Sequence, residues 1–272
     1  MRATHWVIAV MIGFLFSGCA STQRTAPTAT APNPETRQAL APTGQLRVAF
    51  LSGPLYAAKD PTTGELKGVA VDLGRDLARR VGVPFQPVLY PNPGAILTGA
   101  KSGEWDVALM GINPERAAAL DFSAPYMEVE QGYLTRAGIP VASASDVDKS
   151  GIRVAVAEKT GADLYLSSVL KNATLVRTKS VGELDAVLDS GNADVIAATK
   201  ALLFDRAAKR PGARVLDGRF LVEPIGMGVP KGRNAIAATY VGRFVEEAKA
   251  AGLVRSAIET AGLRGVNVAS AK

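Results

Sequence analysis

Histidine and cysteine are almost missing from this chain. Its 272 residues contain one of each, His5 and Cys19, both near the start. Beyond residue 19 there is neither. A serine–histidine or cysteine–histidine nucleophile is therefore excluded there, as are a thiolate or imidazole zinc site and a disulfide framework. No metal, cofactor or catalytic residue is expected. Long apolar runs are lacking too. The longest, Trp6–Phe16, has eleven residues, against the ~20 that a helical membrane span needs. Lys and Arg outnumber Asp and Glu, for a net charge of +6, which favours anionic partners. No basic run with interleaved aromatics is present, however, so no nucleic acid partner is expected.

What the N-terminus does contain is an export pattern. Arg2 precedes the apolar run, and "LFSGC" ends at Cys19. Small residues directly before a cysteine resemble a lipobox, where a lipoprotein is cleaved and its cysteine acylated, although Phe16 stands where leucine is usual. The alternatives are an ordinary signal peptide with an incidental cysteine, or a retained anchor. The stretch Ala20–Gly44 is rich in Ala, Thr and Pro and is expected to be a disordered tether. The expected organisation is a signal peptide over 1–18, a tether over 19–44, one lobe from 45–130 and 225–272, and a second from 131–224. The expected location is the periplasm, tethered through lipidated Cys19.

From Gln45 onward, apolar periodicity alternates between strand and helix. "LRVAFL", "FQPVLY" and "DVALM" read as strands around helices containing Leu73, Leu77 and Ile96. A second round runs through "IRVAVA", a helix near Ala162–Leu170, "TLVRT", a Ser180–Glu183 capping box and "DVIAA". The rounds share phrases: "LRVAFLSG" is echoed by "IRVAVAEKTG", and "SGEWDVAL" by "SGNADVIA". Two α/β units in tandem are expected, each with a parallel-rich sheet covered by helices. Met127–Gly138 and Arg219–Gly232 are extended and would cross between them. If the last two helices pack on the first lobe, two crossings make a hinge over a cleft.

One residue is out of place. In "GINPERAAALDFSAPY", Asn113 is a good helix N-cap and Pro114 suits the first helical position. Arg116 then falls in the first turn, where a positive charge opposes the helix dipole. It either joins the helix terminus to form an anion site, or lies in solvent, or pairs with Glu115 or Asp121.

The patterns "TGELKGVAVDL", "SGEWDVAL", "PERAAALDFSAPY" and "GIRVAVAEKTGADLY", in that order over Gln45–Leu263, resemble the solute-binding protein family 3 of ABC transporters. The resemblance implies a two-lobe periplasmic-binding-protein fold, type II-like. It also implies a non-enzymatic monomer that captures a small anionic or zwitterionic solute for an ABC permease in the inner membrane. Arg116 would hold a ligand carboxylate beside Gly111, Ile112 and Asn113. Gly161 and Ala162 would close from the second lobe, and Tyr56 would form an aromatic wall, unless it is a core or rim residue. Three positions depart from the family pattern. "MGINPER" is shortened, Ala162 replaces a hydroxyl residue, and Thr199 and Lys200 stand where an aspartate usually meets the ligand ammonium. Glu130 could supply that carboxylate, or be a solvated hinge residue. Without such a partner, a keto or hydroxy acid is expected to bind as well as the matching amino acid. The alternatives are an exported carboxylate-dependent dehydratase-like enzyme, with Glu130 or Glu158 as general acid, and a ligand-sensing scaffold.

Overall fold

The structure is a computed structural model that describes residues 34–233 and 235–271. The expected signal peptide, Cys19 and the first part of the tether lie outside the described residues.

The end of the expected tether is folded. Pro34–Leu40 forms helix α1, with Pro34 at its start and Leu40 fully buried. Its Arg37 donates to the carbonyl of Val81, and Leu40 joins the core of the first lobe. Composition argued for disorder here, but one leucine on a short helix finds a preformed apolar site, so tertiary packing overrides it.

The first lobe follows the expected order. Strand β1 (Leu46–Leu51) leads through a small hairpin, β2 (Ala58–Lys59) and β3 (Leu66–Lys67), into α2 (Val69–Val81). Gly68, with φ of 142°, precedes α2, and a Cβ there would stand 2.9 Å from the carbonyl carbon of Tyr56. The glycine thus lets the loop carrying Tyr56 lie against the helix start. Then come β4 (Phe85–Tyr90), α3 (Pro93–Ser102), β5 (Val107–Gly111), α4 (Pro114–Ala119) and β6 (Leu120–Phe122). The long strand β7 (Met127–Thr135) leads into the second lobe.

There the chain forms β8 (Arg153–Ala157), α5 (Gly161–Val169), β9 (Thr174–Thr178), α6 (Leu184–Asp189), β10 (Val195–Thr199), α7 (Lys200–Ala208) and β11 (Arg214–Val215). Strand β12 (Leu221–Pro230) returns to the first lobe. It is followed by α8 (Ala235–Ala250), α9 (Leu253–Thr260) and β13 (Val266–Val268). The expected capping box at Ser180 differs. A short 3-10 turn, Val181–Glu183, precedes α6, and Glu183 instead accepts from the backbone N–H of Lys179 and the hydroxyl of Ser180.

The two parallel-rich sheets expected are present and are joined through the crossings, so that among the described residues they form one continuous sheet of eleven strands, with the main order β4-β1-β5-β12-β7-β10-β8-β9. Each end is parallel, β1 with β4 and β5, and β8 with β9 and β10. The two crossings, β7 and β12, pair antiparallel with each other, Glu130 opposite Val222 and Glu128 opposite Pro224, and so fuse the halves. Pro87 in β4 suits the strand's edge position. Trp105, Phe50, Tyr126 and Phe244 fill the first-lobe core, to which α8 and α9 contribute. In the second lobe, strand alternation divides the core between the sheet's faces. Val154, Val156 and Val195 pack with Leu166 of α5, while Ala155, Ala157 and Ile196 pack with Leu184, Leu188 and Leu203 of α6 and α7.

Candidate ligand-binding cleft

A cavity of about 70 Å³ lies where the carboxyl ends of the strands of both lobes meet. Leu51 ends β1 and Gly53 follows it, and Met110 and Gly111 end β5. Ala157 ends β8, Ala197–Thr199 end β10, and Thr160–Ala162 begin α5. A crevice outside the carboxyl ends of strands is where α/β sheets bind ligands, because loops and helix N-termini converge there. Much of the wall is apolar, including Leu55, Met110, Leu184 and Leu202. Among the described residues, Arg116 and Glu223 are the only charged ones in the lining.

Arg116 is placed as expected. The side chain of Asn113 accepts from the Arg116 backbone N–H at 2.9 Å, and Pro114 occupies the first turn. The guanidinium, however, lies neither in solvent nor beside Glu115 or Asp121. Arg116 is only 3% exposed. Its Nη1 donates to the carbonyl of Gly111 at 2.8 Å and to Oε1 of Glu223 at 3.2 Å. Its Nη2 reaches across the cleft to the carbonyl of Lys159 at 2.9 Å. A second bond between the lobes runs from Asn92 Nδ2 to the carbonyl of Lys179. Lys159 is the one non-glycine among the described residues with positive φ, 62°, and its backbone N–H is held by Asp163. That turn delivers its carbonyl to Arg116 at the entrance to α5.

Glu223 was not anticipated. It sits on β12, is buried, and accepts from Nε2 of Gln131 on β7 at 2.6 Å. Its carboxylate fills the gap between the lobes. A Cβ on Gly111 would lie 2.6 Å from the carboxyl carbon, and one on Gly161 2.5 Å from it. The two glycines leave the space that this carboxylate occupies, and a side chain at either position would force Glu223 to move. The positive charge expected to await a ligand is thus already paired. The only signal in the sequence was a lone carboxylate in the apolar crossing "FLVEPIGMGV".

The other expected residues divide. Gly111, Gly161, Ala162, Tyr56 and Thr199 line the cavity with Arg116. Tyr56 is buried, and its hydroxyl is held neutral by burial and by the Glu223 carboxylate, with Arg116 opposing. Ile112 and Asn113 are not in the lining. The Ile112 N–H donates to the carbonyl of Pro224 because β12 pairs alongside β5, and the Asn113 carbonyl oxygen is used in capping. Glu130 does not reach the cleft either. It pairs with Lys200 at 2.8 Å and Arg219 at 2.6 Å, and hydrogen bonding from Lys200 holds its carboxyl below the usual range. Neither a cleft carboxylate nor a solvated one, it is part of an ion triad beside the crossings.

The fold and cleft are those of a bacterial solute-binding protein. The family model for bacterial extracellular solute-binding proteins, family 3, matches residues 46–259, and the chain belongs to that family. Among curated relatives, the ABC transporter glutamine-binding protein of Bacillus subtilis (strain 168) is 26% identical over 190 residues, covering 67% of this chain and 68% of its own. The glutamine-binding protein of Geobacillus stearothermophilus is 27% identical over 184 residues, covering 65% and 69%. Among solved structures, a mutant of ArgBP from T. maritima superposes with a TM-score of 0.72 at 25% identity, covering 83% of this chain and 98% of that one. The ancestral amino acid-binding protein AncCDT-1, described as a precursor of cyclohexadienyl dehydratase, gives 0.70 at 25% identity, covering 83% and 98%. Among the described residues no helix is long and apolar enough to cross a membrane.

Proposed function

We propose that this protein captures a small amino acid-like solute between its lobes outside the cytoplasm and delivers it to an ABC permease in the inner membrane, without chemically changing it. One observation carries the reading. One cavity, built from strand ends of both lobes, holds a buried Arg116–Glu223 pair within largely apolar walls. Such a site suits a molecule with a charged head and a small, largely apolar body. Contacts made with both lobes at once stabilise the closed form, so binding and closure are coupled. The glutamine-binding relatives support the amino acid class. In this reading Arg116 receives the solute carboxylate, Gly161 and Ala162 present the start of α5, and Tyr56 and Thr199 flank the body. Lipidated Cys19 would tether the protein to the membrane as a monomer on the periplasmic side.

Titration calorimetry of the purified protein against amino acids, keto acids, dicarboxylates and small amines tests this. At 100 times its dissociation constant a ligand adds about 2.7 kcal/mol of stability, readily seen as a thermal shift. Arg116→Ala is expected to weaken binding of a carboxylate solute at least a hundredfold. Unchanged affinity in that variant would reject the assignment of the head group.

A further inference from the structure

The cleft contains a carboxylate where a carboxylate ligand would be expected to arrive, and this has a consequence for what it can bind. Glu223 Oε1 receives one hydrogen bond from Arg116, at 3.2 Å, and Oε2 one from Gln131, at 2.6 Å. An ionised carboxylate has roughly four acceptor positions, so capacity remains. Beside it, Gln131 Oε1 is buried and has no hydrogen-bond partner, and the residue is only 2% exposed. Both residues line the cavity. Two residues with acceptor capacity to spare, one charged and one neutral, thus stand side by side on the two crossing strands in the cavity lining.

A solute bearing only a carboxylate would bring a second anion against Glu223 in a buried place, with a single cation to share between them. A zwitterion would not. Its carboxylate can take Arg116, while its ammonium, with three donors, takes Glu223 and Gln131 Oε1. One internal ion pair is then exchanged for two, and the buried charge stays balanced. Building on the proposed capture function, we propose that Glu223, assisted by Gln131, is the receptor for the solute's ammonium group and selects zwitterions over plain carboxylates. This supplies from the second crossing strand the carboxylate that is missing at Thr199–Lys200. It also reverses the expectation that a keto or hydroxy acid binds as well as the amino acid.

Calorimetry with matched pairs tests the assignment: L-leucine with 4-methylpentanoate, L-glutamine with glutaramate, and L-arginine with 5-guanidinopentanoate. At least one amino acid is expected to bind, with its deaminated partner a hundredfold or more weaker. Glu223→Gln should weaken that amino acid at least a hundredfold and bring the pair within a few-fold of each other. Gln131→Met keeps the bulk and removes the free acceptor. It should weaken the amino acid about tenfold and leave the deaminated acid unchanged, and it decides the matter if Glu223→Gln does not fold by its melting curve. The assignment is overturned if a deaminated acid binds the wild type as tightly as its amino acid, or if the variant that folds keeps the full preference. Binding by the deaminated acids alone would leave solute capture standing and remove only the role of Glu223. No binding by either member of any pair would reject both.

Discussion

The two lobes carry the same clasp, built from the same pair of residues. In the first, Arg47 donates its backbone N–H and its Nε to Oδ2 of Asp106, both at 3.0 Å, and its Nη2 to Oδ1 at 2.7 Å. In the second, Arg153 makes the same three bonds to Asp194, at 2.9, 3.1 and 2.8 Å. In both, the aspartate N–H returns to the arginine carbonyl. These residues stand at matching places in the echoed phrases "LRVAF" and "IRVAV", and "EWDVAL" and "NADVIA". The difference is in burial. The Asp106 side chain is 1% exposed and also holds Arg233 at 2.8 Å, whereas Asp194 is 9% exposed, Arg153 39%, and the second arginine of Asp194, Arg136, stands 3.8 Å away and is 42% exposed. The first lobe packs α1, α8 and α9 around its sheet; the second has no equivalent cover among the described residues. A repeated local pattern therefore sets the bond, and the surrounding layers set what the bond contributes.

Mutation can break this comparison. Asp106→Ala leaves two arginines without their partner in a covered site and should cost about 3–5 kcal/mol, measured by urea unfolding. A loss no greater than that of Asp194→Ala would mean the extra cover is without effect. Leu40→Ala should follow at about 2–4 kcal/mol, from a cavity under α1. Hydrogen exchange should show that loss in the first lobe, with second-lobe protection unchanged; equal loosening of both lobes would contradict the separate cores. Asp194→Ala should be mildest, about 1–2 kcal/mol, since Arg153 and Arg136 are both exposed enough to regain water.

Acid sharpens the last contrast. Burial alone would raise the Asp194 carboxyl, but hydrogen bonds and charge from Arg153 outweigh it and hold it below its ordinary 3.8. A depressed folded value stabilises the fold above the unfolded one and is lost as pH falls through the folded value. The stability gap between wild type and Asp194→Asn should therefore be constant above about pH 5 and close as pH drops below 3.8. A gap that widens in acid would be inconsistent with the clasp.

Parts of the cleft were legible in the chain and parts were not. Asn113, Pro114 and Arg116 lie within four positions of each other, so capping rules place the arginine at the third helical residue, as found. Gly111 and Gly161 were legible as pattern, though not for their reason, which is the bulk of Glu223 between them. Glu130 and Glu223 show where such reading stops. Both are carboxylates on crossing strands, and nothing local distinguishes them. Glu130 meets Lys200 and Arg219, while Glu223 faces the cavity.

Short-range chemistry, carried by the sequence alone, determined the strands and helices, the tandem architecture and the helix turn that carries Arg116. Alternation, capping and glycine placement act within a few residues and need no partner. The tertiary structure alone decided that the crossings fuse two sheets into one, that α1 has a place to dock, and that the charge of Arg116 is met by a residue 107 positions away. Those outcomes depend on which side of a paired strand a residue takes and on how well its charge is covered from water. Register and burial belong to the assembled sheet, not to any stretch of chain.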